Sequence, residues 1–428
     1  MNVTGVIAEY NPFHNGHAYQ IQKAKELSRA DYVIVVMSGN FVQRGMPAIL
    51  DKFTRTAAAL KNGADFVFEI PTVFATASAE YFAAAGTALL NALGCVDSVS
   101  FGCETPDLPL LSHIADILAK EPDYYKTRLS YYLKSGNSFP VSRQKAITDY
   151  CKTENLSFQS ALSGTVYGNP SILLGSPNNI LAVEYLKSII RDHLHLRPIP
   201  ILRKGAGYHD TGLHQKYCSA AAIRRHLLFP SGIDISDFVP ENTASHLFAS
   251  DAAFLTEQDF SAMLYYKLLK CPKQALPRYA DCSKELANRI RHSLPDYRGY
   301  RNFCELLKKK DVTYSRISRM LLHILLEITD ESIAMGKACG FAPYLRLLGF
   351  RRDAVNLFTA IRSHAKCPLI TKPAKESALL SADSRALFET DVFASDLYYG
   401  VLAQKTGRTQ KEEYRREMVI LPCESRII

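Results

Sequence analysis

The stretch VTGVIAEYNPFHNGH, residues 3–17, decides the fold. It begins as a short apolar run, VTGVIAE, and ends in a turn where His14 and His17 flank Gly16. The next residues, AYQIQKAKELSRA, carry apolar side chains at helical spacing. The stretch therefore predicts a buried strand, a tight turn and the first turn of a helix, with both histidines at the junction.

The same alternation continues along the first hundred residues. DYVIVVMSG, DFVFEIP and DSVSFGCE are predicted strands, and DKFTRTAAALKNGA and ASAEYFAAAGTALLNALG are predicted helices. Further on, the strand RPIPILRKG lies between the helices PNNILAVEYLKSII and CSAAAIRRHLL. Strands that are apolar on both faces and separated by helices indicate a parallel sheet. We predict an α/β fold with a Rossmann-like parallel sheet, which binds ligands at the carboxyl ends of its strands.

The sequence predicts two parts that meet near residue 235. Residues 1–235 would form a nucleotide-binding domain with a helical insertion around residues 106–160. Residues 236–428 are predicted to be mainly helical and basic, since residues 261–330 hold 14 Lys/Arg against 7 Asp/Glu in a chain of net charge +9. Such a surface suits a polyanion, nucleic acid first, although solvated helix faces explain the charge equally well.

Composition argues against several classes of protein. No run of about 20 apolar residues exists, so we expect no membrane span. The first residues lack a basic patch followed by an apolar run, so a signal peptide is not expected. Ten cysteines are scattered without a CxxC pair, which argues against a zinc ribbon or a disulfide framework. A reducing cytoplasm is the predicted location.

The histidine turn allows three interpretations. Two histidines three residues apart could bind zinc, but only Glu9 is close enough in sequence to be a third ligand. Asn11 or Asn15 could instead cap a helix and leave the histidines without a role. The position between a first strand and a first helix favours a phosphate site, because N–H groups and the helix dipole attract anions there. Two imidazoles could then stabilise the charge that develops in adenylyl transfer.

Longer strings make the interpretation more specific. The pattern strand–HxGH–helix is similar to the signature of the nucleotidyltransferase superfamily. The strings GVIAEYNPFHNGH, MSGNFVQRGMPA, SPNNILAVEY, RKGAGYHD and SAAAIR resemble the bacterial tRNA(Met) cytidine acetate ligase family. TYSRISRMLLHILL and YLRLLGF extend the resemblance, which runs from about Val3 to Phe350. A KMSKS-like loop, the second signature of class I aminoacyl-tRNA synthetases, is absent from the sequence.

The resemblance implies an ATP-dependent ligase that modifies tRNA. Such an enzyme activates acetate as acetyl-adenylate, releases pyrophosphate and transfers the acetyl group to N4 of the wobble cytidine of elongator tRNA(Met), giving N4-acetylcytidine. ATP is then the co-substrate. No acidic cluster near the motif suggests a metal site of the protein's own, although Mg²⁺ often arrives with ATP and the sequence leaves its requirement open. The alternatives are a small-molecule nucleotidyltransferase that adenylylates a phosphorylated metabolite, and a non-catalytic RNA-binding protein.

The resemblance also implies the site residues. His14 and His17 would be the catalytic pair, facing the phosphates. Gly102, Asn178 and Arg203 match the family's Gly, Asn and Arg, although the neighbour Asn179 leaves the register open by one residue. The implied ATP-binding segment consists of Ile7, Ala8, Glu9, Tyr10, Asn11, Pro12, Phe13, His14, Asn15, Gly16, His17, Ala18, Tyr19 and Gln20. The implied tRNA-binding residues are Lys308, Lys309, Lys310, Arg316 and Arg319.

Further polar residues lie near these positions in the sequence. Lys52 and Arg55 read as solvated residues of a first helical turn, and Ser219 and Arg224 could hold the distal phosphates. The edge after the second strand could frame acetate or the triphosphate, and its polar residues and glycine are Ser38, Gly39, Asn40, Gln43 and Arg44. Beside Arg203, three residues could line the same pocket, namely Tyr208, His209 and Asp210.

Overall fold

The computed structural model describes residues 1–156, 158–159, 166–167, 170–204, 217–229, 234–250 and 252–422. Tyr208, His209 and Asp210 lie outside these ranges. The strands are β1 (Val3–Ala8), β2 (Tyr32–Ser38), β3 (Phe41–Val42), β4 (Met46–Pro47), β5 (Phe66–Ile70), β6 (Ser98–Cys103), β7 (Phe158–Gln159), β8 (Val166–Tyr167), β9 (Arg197–Leu202), β10 (Leu345–Arg351), β11 (Leu369–Ile370) and β12 (Val419–Leu421).

Helices connect and cover these strands. They are α1 (Asn15–Ser28), α2 (Lys52–Lys61), α3 (Thr72–Ala75), α4 (Ala79–Ala92), α5 (Leu108–Lys120), α6 (Asp123–Lys134), α7 (Phe139–Thr153), α8 (Pro177–Arg191), α9 (Ala220–Leu228), α10 (Glu241–Leu247), α11 (Ser261–Lys270), α12 (Lys284–Ser293), α13 (Tyr300–Leu307), α14 (Tyr314–Leu325), α15 (Asp330–Ala338), α16 (Val355–His364), α17 (Pro373–Glu376) and α18 (Ala382–Thr406). Short 3₁₀ turns join several of them.

A central sheet organises the described part of the chain. Its strand order is β11–β10–β5–β2–β1–β6–β9, and β12 pairs with β10. The pairs β5–β2, β2–β1, β1–β6 and β6–β9 are parallel. Every residue of β1 and β5 is buried, as expected for strands covered by helices on both faces. The predicted α/β class and parallel sheet are confirmed.

The strand order creates a crevice at the carboxyl end of β1. The chain passes from β1 to β2 and β5 on one side and then returns to place β6 on the other side of β1. Such a reversal is the topological switch point, where the connections diverge and leave room for a ligand. Because α1 begins at Asn15, directly after β1 and its turn, the histidine turn lies at this point.

Helix α4 packs closely on β1 beneath this crevice. A Cβ atom at Gly86 would lie 2.7 Å from the Ile7 side chain, so only a glycine allows this approach without a shift. This close packing holds the Ile7 side chain against α4. The chain continues from Ile7 into the histidine turn.

The later part of the chain also contributes to the sheet. It is largely helical from α10 to α15, as predicted, but β10 then pairs antiparallel with β5. The pairing shifts register between Leu347 and Gly349, and β11 and β12 extend the sheet beyond it. Three strands from beyond residue 236 therefore complete the sheet of the first part. The domain boundary near residue 235 stays a prediction.

A small hairpin links the helical part to the crevice. Strands β3 and β4 pair antiparallel, and Gly45 between them has φ of +74°. A Cβ atom there would lie 2.4 Å from the backbone nitrogen of Arg319, and Ser318 Oγ donates a 2.9 Å hydrogen bond to the Gly45 carbonyl. The hairpin thus rests on α14.

Among the described helices, none combines the length and the apolar character needed to cross a membrane.

Candidate active site

A cavity occupies the crevice at the carboxyl end of β1. It is lined by the ends of β1 and β6 and by residues of α8, α9 and the β3–β4 hairpin. Its lining includes histidines, arginines, two asparagines and several aromatic rings. The lining residues that the argument uses are Ile7, Glu9, Tyr10, Asn11, His14, His17, Gln20, Gln43, Arg44, Phe82, Phe101, Gly102, Asn178, Tyr185, Arg203, Ser219 and Arg224.

Two backbone hydrogen bonds fix the histidine pair. His14 caps α1, and its Nδ1 accepts a hydrogen bond from the Gly16 backbone N–H at 3.0 Å. Nδ1 of His17 accepts the backbone N–H of His14 at 3.2 Å. A ring nitrogen that accepts a hydrogen bond carries no proton, so each neutral ring holds its proton on Nε2. Capping of the helix therefore presets both imidazoles as Nε2–H donors.

The environment keeps both imidazoles neutral. Burial, assisted by the positive charges of Arg203 and Arg224, lowers the pKa of His14 to about 3. Burial also lowers the pKa of His17 well below its usual value, and His14 and Arg203 add to this effect. At neutral pH the pair can donate hydrogen bonds to an anion, and neither ring has to gain a proton to do so.

Three arginines converge on the same cavity from different elements. Arg203 follows β9, Arg224 lies on α9, and Arg44 lies on the β3–β4 hairpin. Burial lowers the pKa of Arg224 to about 10 and lowers the pKa values of Arg203 and Arg44. Each group stays cationic near pH 7. Partly buried cations are costly without nearby negative charge, so the cavity favours a polyanion.

Helix starts add to this positive character. Ser219 caps α9, and its Oγ accepts the backbone N–H of Ala222 at 3.1 Å. Ser219 and the next two residues line the cavity, as does the start of α1 on the opposite side. Arg224 is held by the turn before α1, because its guanidinium donates a 2.5 Å hydrogen bond to the Asn11 carbonyl. Two helix N-termini and three arginines thus face one space.

The structure distinguishes between the two asparagines of α8. Asn178 lines the cavity, receives a 3.4 Å contact from Arg203 and donates to Glu104 Oε1 at 2.6 Å. Asn179 is buried, and its Oδ1 accepts the backbone N–H groups of Glu104 and Thr105 at 3.0 and 3.1 Å. Asn178 is therefore placed to meet a ligand, and Asn179 holds the loop after β6.

A second, smaller cavity adjoins the first. Both are lined by His14, His17, Gly102 and Arg203, and the second also reaches Gly16. A Cβ atom at Gly102 would lie 3.3 Å from Cγ of Arg203, so a side chain there would crowd Arg203, which lines both cavities. The shared residues mark the place where a ligand spanning both spaces would cross.

In the predicted segment from Ile7 to Gln20, some residues line the cavities and others support the histidine turn. The residues that line one or both cavities are Ile7, Ala8, Glu9, Tyr10, Asn11, His14, Gly16, His17, Tyr19 and Gln20. The others support the turn: Phe13 is buried with its ring centroid 4.8 Å from that of Tyr10, and Asn15 Nδ2 donates to the Asp237 carbonyl at 2.7 Å. Pro12 and Ala18 line neither cavity.

The prediction that Lys52 and Arg55 are solvated is wrong. Lys52 is fully buried, and its Nζ lies 2.7 Å from Glu69 and 2.9 Å from Glu413. Arg55 is also fully buried and donates to the carbonyl groups of Glu9 and Ser38 at 2.6 and 3.0 Å. The helical pattern predicted that both residues lie in a first turn. It could not show their buried partners, which are strand ends for Arg55 and, for Lys52, Glu69 of β5 and Glu413 of the C-terminal part. Arg55 thereby joins the ends of β1 and β2 beneath the cavity.

The other polar residues after β2 have different places. Gln43 and Arg44 line the cavity, whereas Ser38, Gly39 and Asn40 do not. Asn40 Oδ1 accepts the backbone N–H of Lys52 at 2.8 Å, and a Cβ atom at Gly39 would lie 2.2 Å from Glu69. These three residues support the loop that follows β2.

The predicted tRNA-binding residues lie on the helical part. Lys308, Lys309 and Lys310 are exposed between α13 and α14. Arg319 is mostly covered and donates to Asp281 at 2.9 Å, and Arg316 lies 3.8 Å from the same carboxylate. The three lysines are thus exposed to solvent. The two arginines instead form ion pairs with the carboxylate of Asp281 in the same chain.

Sequence reasoning missed the apolar wall of the cavity. Phe82 of α4, Phe101 of β6 and Tyr185 of α8 all line it, and the rings of Phe101 and Tyr185 lie 5.8 Å apart. Each is buried at a core position, so its pattern in the sequence is that of an ordinary packing residue. No local signal separates these rings from the core.

Comparison with known proteins identifies the family. The HIGH Nucleotidyl Transferase model matches residues 1–414. The tRNA(Met) cytidine acetate ligase of Thermoanaerobacter sp. (strain X514) is 39% identical over 402 residues, which cover 93% of this chain and 95% of the relative. The chain belongs to the tRNA(Met) cytidine acetate ligase family. The resemblance of the motif strings is therefore confirmed.

Further relatives of this family support the same assignment. The ligase of Clostridium perfringens (strain ATCC 13124) is 35% identical over 399 residues, with 93% and 95% of the two chains covered. The crystal structure of Thermotoga maritima TmcAL bound with alpha-thio ATP matches with a TM-score of 0.89 at 30% identity. The match covers 99% of this chain and all of that one. The apo form of the Thermotoga protein has a TM-score of 0.91 at 31% identity.

Proposed function

We propose that this protein is an ATP-dependent ligase that acetylates N4 of the wobble cytidine of elongator tRNA(Met). Acetate would first displace pyrophosphate from ATP to give acetyl-adenylate, and the cytidine amine would then take the acetyl group. The observation that carries this proposal is the preset pair of Nε2–H donors, His14 and His17, in a cavity lined by three arginines. Full-length similarity to a ligase whose crystal structure contains an ATP analogue supports the same ligand here.

The first step needs positioning and charge stabilisation. An acetate oxygen bonds to the α-phosphorus while the bond from that phosphorus to the bridging oxygen of pyrophosphate breaks. Negative charge grows on the phosphate oxygens, and fixed N–H donors in a recessed site stabilise such charge most effectively. His14 and His17 would serve the α-phosphate, and Arg203 and Arg224 the departing pyrophosphate.

The two cavities suit this arrangement. His14, His17, Gly102 and Arg203 line both cavities, and the α-phosphate would lie beside them. The nucleoside would lie on one side, and the acetyl group and pyrophosphate on the other. No group of three or more His, Cys, Asp or Glu side chains among the described residues is placed to hold a metal ion, and ATP commonly carries Mg²⁺ on its own phosphates.

The tRNA would approach from the helical part. The hairpin that carries Gln43 and Arg44 packs on α14, and the lysine run at 308–310 lies shortly before that helix in the chain. Lysines would bind phosphates without reading sequence, and the wobble base would leave its stack to reach the adenylate. Elongator tRNA(Met), acetate and a cytoplasmic location are parts of this proposal.

Exchange of labelled pyrophosphate into ATP tests the first step. We expect exchange that depends on added acetate. The alternative, a small-molecule nucleotidyltransferase, predicts that acetate gives no exchange and that a phosphorylated metabolite is required. Phosphopantetheine and nicotinamide mononucleotide serve as the comparison substrates, because each presents a phosphate as the attacking group.

A further inference from the structure

The second step of the proposed reaction needs a proton acceptor. When N4 of cytidine bonds to the acetyl carbonyl carbon, the bond from that carbon to the oxygen of AMP breaks and AMP leaves as an anion. The nitrogen must also lose a proton, because the product is a neutral amide. A group beside the amine has to take that proton during transfer.

Most titratable groups of the cavity are unsuited to this role. Nδ1 of His14 and of His17 is already occupied by a backbone N–H, and Nε2 already carries a proton. Burial lowers the pKa of both rings, which makes them poor acceptors. Burial raises the pKa values of Tyr10 and Tyr185, so their hydroxyl groups keep their protons. The arginines are cations.

The carboxylate of Glu104 is unsuited as well. Its Oε1 accepts Nδ2 of Asn178 at 2.6 Å, and its Oε2 accepts the backbone N–H of Asn179 at 2.9 Å. Glu104 does not line the cavity. Its role is to hold the start of α8.

Glu9 differs from all of these groups. It lies directly after β1 and is the one carboxylate among the described residues that line the cavity. Its Oε1 accepts the backbone N–H of Gln43 at 2.9 Å, which fixes the side chain. Its Oε2 has no hydrogen-bond partner among the described residues, and it is not one of the polar atoms sealed in the interior.

The charges around Glu9 suit a transfer step. Arg44 and Arg224 are both close enough to interact electrostatically with its carboxylate. The departing AMP is an anion, so cations that stabilise it and a carboxylate that accepts the proton are needed close together. The end of β1 provides both.

We propose that Glu9 is the catalytic base of acetyl transfer. Its Oε2 accepts the proton of N4 as that nitrogen bonds to the acetyl carbon, and the carboxyl group later returns the proton to water. A carboxylate is basic enough, because the attacking nitrogen becomes cationic in the tetrahedral intermediate and its proton is then acidic. This inference rests on the proposed function.

The variant Glu9→Gln tests the inference because it separates the two steps. The amide keeps the size of the side chain and an oxygen to accept the Gln43 N–H, but it cannot take a proton. We expect single-turnover transfer from preformed acetyl-adenylate to tRNA to fall at least about 100-fold, and to fall far more than acetate-dependent ATP–pyrophosphate exchange does. The variant Glu9→Asp keeps a carboxylate and should recover part of the transfer rate. tRNA affinity is measured in parallel and should not change.

Three results would overturn the inference. Equal loss of exchange and transfer in Glu9→Gln would mean that Glu9 acts in adenylation or only positions the hairpin. An unchanged transfer rate would assign the base to another group. If Glu9→Gln does not fold, Glu9→Asp decides: a larger loss of transfer than of exchange supports the base, and equal loss of both contradicts it. Failure of the wild type to exchange with acetate would instead remove the proposed function, and the inference with it.

Discussion

The imidazole ring of His14 lies stacked on that of His17, with centroids 3.7 Å apart and an interplanar angle of 20°. Each Nδ1 accepts a backbone N–H, so the first turn of α1 determines which nitrogen of each ring carries the proton. The same hydrogen bonds that begin the helix thus prepare the donors of the site.

The first prediction concerns the two rings. His17→Ala and His14→Asn each remove one Nε2–H donor, and Asn keeps an acceptor for the Gly16 N–H, so the helix cap survives. We expect each variant to lower the rate of acetate-dependent pyrophosphate exchange by about 10²- to 10³-fold. The matched control is His364→Ala, an exposed histidine on α16. Exchange at the wild-type rate in both site variants would contradict the role.

The second prediction concerns stability against pH. The pKa of His14 is about 3 in the folded protein and near 6.5 when unfolded, so between these values the unfolded chain binds more protons. The contribution of His14 to the free energy of unfolding is therefore present above pH 6.5 and is lost as pH falls. We expect urea unfolding of His14→Asn to depend less on pH between 6.5 and 4.5, by up to about 1.4 kcal/mol per pH unit. Equal slopes for wild type and variant would contradict the pKa shift.

The third prediction separates Asn178 from Asn179. Asn179→Ala leaves two backbone N–H groups of the β6 loop without their acceptor, and should lower the free energy of unfolding by about 1–3 kcal/mol. Asn178→Ala should leave stability nearly unchanged and weaken ATP binding about ten-fold, or about 1.4 kcal/mol. Urea unfolding and ATP titration of both variants measure these effects. If Asn179→Ala weakened ATP binding and Asn178→Ala lowered stability, Asn179 and not Asn178 would be the residue that contacts ATP.

The fourth prediction concerns the lysine run. Reversing the charges of Lys308, Lys309 and Lys310 to Glu should weaken tRNA binding and reduce its salt dependence, because each lost phosphate contact lowers the logarithmic salt slope by about 0.7 to 0.9. Pyrophosphate exchange should not change. The control reverses three exposed lysines elsewhere on the surface, Lys61, Lys372 and Lys375. Equal loss of tRNA binding in both variants would point to a general charge effect.

The sequence predicted those features of the fold and the site that depend on residues close together in the chain. β1, β2, β5, β6 and β9 were predictable because their apolar runs are short and bounded by turns, and the histidine turn follows directly from the first of them. Neighbouring residues also sufficed to predict His14 and His17 as a pair. Their tautomers were not predictable, since these depend on the backbone geometry of the turn.

The rest depends on contacts between distant residues. β10 enters the sheet antiparallel to β5, and its Arg346 is paired with Glu413, which lies 67 residues further on. Lys52 has the same buried carboxylate as a partner. No local period signals such an ion pair, so helix periodicity assigned Lys52 to the surface. The apolar rings of the cavity wall were missed for a related reason, because burial beside a ligand and burial in a core give the same pattern.

We propose that the histidine turn activates acetate for transfer to a tRNA cytidine. This proposal is tested most directly by incubating the protein with ATP, labelled acetate and total bacterial tRNA, followed by mass spectrometry of the digested nucleosides. We expect label in N4-acetylcytidine from tRNA(Met), dependent on ATP and abolished in His17→Ala. Folded wild-type protein that exchanges pyrophosphate but leaves tRNA(Met) without acetylcytidine would contradict it.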